Sequence, residues 1–106
     1  MPLPQITDQA QLDRAINDHK SSIIIFSAIW SPVSEATKDN FEKAGAKYPA
    51  VYQAWISIDE NADLAQKYDV TSIPTTIGFK DGAQAAKFIG PQLVEPQVED
   101  FIRKVL

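Results

Sequence analysis

Apolar residues along the chain change period several times, and each change marks an element. Ile23-Ile24-Ile25-Phe26 is an unbroken, β-branched apolar run. A strand without polar alternation is covered on both faces, so Ile23 to Ala28 is predicted to be a central strand. It stops at Trp30 and turns straight into a helix. Ser31 is a good N-cap, and Pro32 takes the first helical position, where its missing N–H costs nothing. From Pro32 to about Lys47, the residues Val33, Ala36, Thr37, Asn40, Phe41, Ala44 and Tyr48 recur at helical spacing and trace an inner face. Pro49 ends that helix.

The remaining segments follow the same logic. Pro2-Leu3-Pro4-Gln5-Ile6 reads as a short extended edge piece, because its prolines cannot donate to a ladder. Thr7 or Asp8 caps a helix of about 11 residues whose apolar face is Leu12, Ala15 and Ile16. Val51 to Ile58 is a second central strand, with Trp55, Ile56 and Ile58 as its bulk. Asp59 closes it, and the Asp59-Glu60 pair reads as solvated. Asn61 starts a loop or cap, and Leu64, Ala65 and Tyr68 mark a short helix. Val70 to Thr75 leads into Thr76–Lys80, where Asp81-Gly82 is a strong hairpin signal. Ala83 to Ile89 returns as the partner strand, and Gly90-Pro91 breaks it. Pro96 opens a last helix with the stripe Val98, Phe101, Ile102 and Val105. The order β-α-β-α-β-α-β-β-α implies an α/β fold whose sheet is parallel in its first part and antiparallel in its last, flanked by four helices.

Composition narrows the function classes. The 106 residues suit one domain, 1–106. The net charge is −4 with scattered basic residues, which argues against nucleic acid and anionic membrane surfaces. No apolar run approaches the roughly 20 residues of a membrane span, and the polar, Pro-containing start does not read as a signal peptide, so a cytoplasmic monomer is expected. Cysteine is absent, which removes disulfides, thiolate metal sites and thiol chemistry from the molecule as written. No metal or cofactor is expected. The single histidine, His19, falls near a helix end, where it helps to close the helix. A serine hydrolase built on Ser31 therefore lacks a base.

Several segments together resemble the thioredoxin family over essentially the whole length. They are Phe26-Ser27-Ala28-Ile29-Trp30, Ile56-Ser57-Ile58-Asp59, Leu64 to Val70, Ile73-Pro74-Thr75, Phe79-Lys80-Asp81-Gly82, and Gly90. The resemblance implies a thioredoxin fold with a four- or five-stranded sheet and a cis Ile73–Pro74 bond. It also implies thiol–disulfide oxidoreductase chemistry at a Cys-x-x-Cys segment, where a helix N-terminus stabilises the attacking thiolate. Here Ser31 and Ser34 occupy the nucleophilic and resolving positions. Trp30, Pro32, Ile73, Pro74 and Gly90 fall on the groove that binds a protein partner as an extended peptide.

The departures from that pattern are specific. The buried family carboxylate falls on Ile25, its lysine neighbour on Trp55, and the residue after the motif is Glu35. A serine hydroxyl is too weakly acidic to replace a thiolate. Two accounts fit. In one, an oxidoreductase has had both cysteines replaced by serine, and restoring them would restore exchange with a thioredoxin reductase. In the other, the chain is a natural redox-silent module that binds an extended peptide of a protein partner.

Overall fold

In the computed structural model, which describes residues 2–106, the apolar run forms β2, Ser21–Ser27, with every residue buried. It lies between β3, Val51–Ser57, and β4, Thr75–Lys80. With β1, Gln5–Ile6, and β5, Ala83–Ile89, the sheet has the order β1-β3-β2-β4-β5. β3 runs parallel to both β1 and β2, whereas β4 is antiparallel to β2 and β5. The mixed sheet is the one the element order requires. Pro2 and Pro4 precede the edge strand, and the Pro4 carbonyl accepts from Trp55 N at 3.0 Å. At the hairpin, Asp81 and Gly82 both have positive φ, 52° and 82°, as a tight two-residue connection demands.

The helices divide between the two faces. α1, Gln9–Asn17, and α3, Ala62–Lys67, cover the face of Ile24, Phe26, Ile56 and Ile77. α2, Pro32–Gly45, and α4, Glu95–Arg103, cover the face of Ile23 and Ile25. There Phe41 meets Phe101 edge-on at 5.9 Å. Burial of such side chains is worth about 1.5–3 kcal/mol each, which makes these two apolar layers the main source of stability.

Local signals set most boundaries, with corrections. α1 has nine residues and is capped by Asp8, whose Oδ1 accepts from Gln11 N at 2.8 Å. α2 ends at Gly45, and single turns carry the chain on to Tyr48. Its inner stripe is Ser34, Thr37, Phe41 and Ala44. Val33, assigned inward by spacing, is 45% exposed. Ser34 takes the inward position in that first turn, and Val33 lies one step of about 100° away. β3 ends at Ser57 and leaves Ile58 to the following turn. Trp55 is half-buried against the second apolar layer, with Lys38 Nζ 3.6 Å from its ring centre. Asn61 caps α3 without a side-chain cap bond, and its amide donates to the Thr7 carbonyl at 2.9 Å.

Candidate functional site

β2 delivers the chain to a sharp turn. Ser31 N donates to the Ala28 carbonyl at 3.1 Å, while Ile29 and Trp30 project into solvent, 75% and 64% exposed. Ser31 has extended backbone and caps α2. Its Oγ accepts from Ser34 N at 3.3 Å, longer than the usual 2.9–3.0 Å of an N–H···O bond. Ser31 is buried and Ser34 fully so, and Ser34 Oγ has no hydrogen-bond partner in the protein. Both positions thus share the first turn of α2, with Pro32 exposed between them. No base joins them. His19 lies at the end of α1, where its Nδ1 donates to the Ala15 carbonyl at 3.0 Å and its ring stacks on Tyr52 at 4.2 Å. The surroundings of the turn also lack charge partners. Ile25 is fully buried among apolar side chains, and Glu35 is paired with Lys38 at 3.1 Å.

Two loops complete the corner. The Ile73–Pro74 bond is cis. Thr75 Oγ1 donates to the Ser72 carbonyl at 2.7 Å, and Gly90 N donates to the Pro74 carbonyl at 2.8 Å. Gly90 has φ +113°, a left-handed conformation that favours glycine. Gln92 N donates to Thr37 Oγ1 at 3.1 Å, and Asn40 Nδ2 donates to the Gln92 carbonyl at 2.9 Å. These bonds tie the 72–75 loop, the 90–92 loop and α2 into one unit. Ile73 stands apart: neither its N–H nor its C=O makes an intramolecular hydrogen bond.

A groove of about 560 Å³ runs between Trp30 and Ile73, with Ile58, Ala62, Ala65 and Val70 along it. Trp30 is fixed at its mouth by Nε1–H donating to Asp59 Oδ2 at 2.6 Å. Exposed Ile29, Val33, Ile89 and Leu93 add apolar surface.

Of the residues singled out by sequence, Trp30 and Ile73 line the groove, Pro74 and Gly90 are bonded to each other, and Ser31, Pro32 and Ser34 form the helix start. Sequence reasoning missed Asp59 as the acceptor for Trp30, and missed Ile29, Val33, Leu93 and the 58–70 wall. The signal for Asp59 was strand pairing. Ser27 lies opposite Ser57 in the parallel ladder, so the residues following each strand emerge side by side.

The thioredoxin family model matches residues 4–104. The chain belongs to the thioredoxin family. It is 33% identical over 95 residues to the mitochondrial thioredoxin of Bos taurus, covering 89% of this chain and 57% of that one. The chain therefore spans just over half the length of that relative. It is 31% identical over 86 residues to thioredoxin-1 of Saccharomyces cerevisiae, covering 81% and 84%. Among solved structures, a mutant thioredoxin of Halobacterium salinarum superposes with TM-score 0.88 at 28% identity, covering 98% and 90%. Oxidised mitochondrial thioredoxin 3 of Saccharomyces cerevisiae gives 0.85 at 26%, covering 95% and 93%. In this thioredoxin-family chain no cysteine is present at the corner or elsewhere. Among the described residues, no helix is long and apolar enough to cross a membrane.

Proposed function

We propose that this chain is a redox-silent thioredoxin-fold module, one domain over 1–106, that holds an extended segment of a partner protein in the Trp30–Ile73 groove. The observation that carries this reading is the unbonded main chain of Ile73 beside an apolar groove. A free N–H and C=O next to a groove for side chains is the arrangement by which extended peptides are bound: main-chain hydrogen bonds supply affinity and pockets supply specificity. Trp30, pinned by Asp59, offers a rigid aromatic wall. Ser31 and Ser34 fill the positions of thiol exchange with hydroxyls, so the reading requires no electron transfer.

The test is selection of a seven-residue display library against the protein, followed by NMR. A bound peptide is expected to shift the Ile73 amide and slow its exchange with solvent, and Trp30→Ala is expected to weaken binding about tenfold or more. Peptides that leave Ile73 unshifted and ignore Trp30→Ala would overturn the reading. The monomeric state and cytoplasmic residence belong to the same proposal. They are tested by light scattering and by cell fractionation against mitochondria, the location named for the bovine relative.

One observation favours a second reading, an oxidoreductase corner with both sulfurs replaced. The Ser34 N–H stands 3.3 Å from the position-31 side-chain atom, a separation that suits a larger acceptor than oxygen. Cysteine at both positions, assayed with a thioredoxin reductase, decides it.

A further inference from the structure

Charge is distributed unevenly around the groove. Asp69 is the only charged residue lining it. With φ +56°, Asp69 is left-handed, a conformation that aspartate and asparagine tolerate. Its carbonyl accepts from Lys87 Nζ at 3.3 Å, as does the Tyr68 carbonyl at 3.2 Å, so Lys87 is engaged with main chain. The Asp69 carboxylate itself has no hydrogen bond or ion pair. Asp59 stands at the mouth, where its Oδ2 accepts from Trp30 Nε1. Lys67 donates to Gln9 Oε1 at 2.9 Å and lies over the Tyr68 ring, and neither it nor Lys87 is ion-paired with Asp69. The 88–94 segment, joined to the Pro74 carbonyl through Gly90 N, carries no charged residue and exposes Ile89, Leu93 and Val94.

We propose that the partner segment carries a lysine or arginine beside its apolar anchor, with the cationic head on the Asp59–Asp69 side and the apolar residues on the Ile89–Leu93 side. This rests on the groove reading above and names the chemistry of its occupant. A carboxylate in a groove next to apolar surface is less screened than one on an open face, and an added cation removes an unneutralised charge. The asymmetry also orients the segment, because turning it end for end places the cation on the uncharged Ile89–Leu93 side. Complementarity of this kind acts on specificity more than on raw affinity.

The experiment uses the full chain and the same randomised library, selected in parallel against wild type, the pair D59N with D69N, and the pair D18N with D81N. Asparagine keeps a carbonyl for Trp30 at 59 and suits the left-handed backbone at 69 and 81, so each variant folds. Asp18 and Asp81 flank the far end of the sheet, and their replacement removes the same net charge. Groove-bound peptides from wild type are expected to favour lysine and arginine over acidic residues. A lysine-to-glutamine exchange in a selected peptide should weaken binding about 3- to 10-fold at low salt, and less than about twofold in 0.5 M salt or in the D59N/D69N protein. D18N/D81N should keep the full preference. Groove-bound peptides with no charge preference overturn this inference and leave the groove reading intact. Equal loss in D18N/D81N overturns it by assigning the effect to net charge. Absence of any groove-bound peptide overturns both.

Discussion

Cysteine placed at Ser31 and Ser34 measures how much thiol chemistry the corner retains. An unperturbed thiol titrates near about 8.5. At position 31 the side chain caps a helix of 14 residues, whose N-terminus favours an anion by about 0.3–1 kcal/mol, rising to ~2 when partly buried. The Ser34 N–H already points at that atom, and a hydrogen bond to a charged group contributes about 1.5–3 kcal/mol. Burial opposes both, since Ser31 is only 6% exposed. At about 1.36 kcal/mol per pH unit, the balance places the Ser31→Cys thiol roughly one to two units below its ordinary value. The thiol from Ser34→Cys meets the reverse conditions. It is fully buried, which holds its proton above the usual range, and Ile25 supplies no carboxylate to take that proton up.

The double variant is therefore expected to attack disulfides readily and to resolve the mixed disulfide slowly. Loss of positioned proton transfer costs about 10²-fold or more, and this sets the expected deficit in turnover against a thioredoxin assayed alongside. Iodoacetamide alkylation of Ser31→Cys as a function of pH reads the first thiol, and mass spectrometry of the quenched reaction reads the accumulating mixed disulfide. A first-thiol pKa at or above about 8.5 would refute the argument from the helix start. Turnover equal to the control, with no accumulating intermediate, would refute the argument from Ile25.

Three further outcomes follow from the packing. Thr37→Val keeps the shape of the side chain but strands the buried Gln92 N–H, which should cost about 1–3 kcal/mol in urea unfolding and loosen the 90–92 loop in hydrogen exchange. Gly78→Ala would drive a Cβ into Val105 Cγ1, so overpacking of about 1–3 kcal/mol should appear as a lowered Tm. The Glu99 carboxyl is held below its ordinary value, first by the Tyr48 hydroxyl and also by Glu95 and Lys47. A depressed folded-state value stabilises the protein above the unfolded glutamate range, and the effect is lost as pH falls through the folded value. Glu99→Gln should therefore flatten the acid limb of Tm against pH, and an unchanged limb would refute the assignment.

The elements written in local pattern were legible. The unbroken run of β2, the Asp81-Gly82 turn and the Val98, Phe101, Ile102, Val105 stripe each depend on residues a few positions apart, and each formed within two residues of where the pattern put it, β2 starting at Ser21 and ending at Ser27. At the corner, the backbone constraints at Pro32 and Gly90 were legible, and the resemblance supplied Trp30 and Ile73. The contacts that build the walls were not. Exposure of Val33 depends on which residue of the first turn faces inward. The Trp30–Asp59 bond joins positions 29 apart and is set by the parallel register of β2 on β3. The free main chain of Ile73 depends on no strand lying beside it, which no spacing within 70–75 encodes.

The bonds that shape the corner explain how chemistry and binding can separate in this fold. Gly90 to Pro74, Gln92 to Thr37, Asn40 to Gln92 and Thr75 to Ser72 use main chain or side chains other than 31 and 34. At position 31 the structural demand on the side chain is an acceptor for Ser34 N, which the Ser31 hydroxyl meets at 3.3 Å. Exchange of sulfur for oxygen therefore removes the thiolate while leaving the groove, its tryptophan and its open main chain in place. It also changes what limits the complex. An exchanging enzyme releases its partner when the mixed disulfide resolves, whereas a hydroxyl corner holds its partner for a time set by the non-covalent off-rate alone. In the proposed complex, contacts along the groove, above all at Trp30, Ile73 and Asp69, would govern residence directly, and changes there would alter its lifetime without touching the helix start.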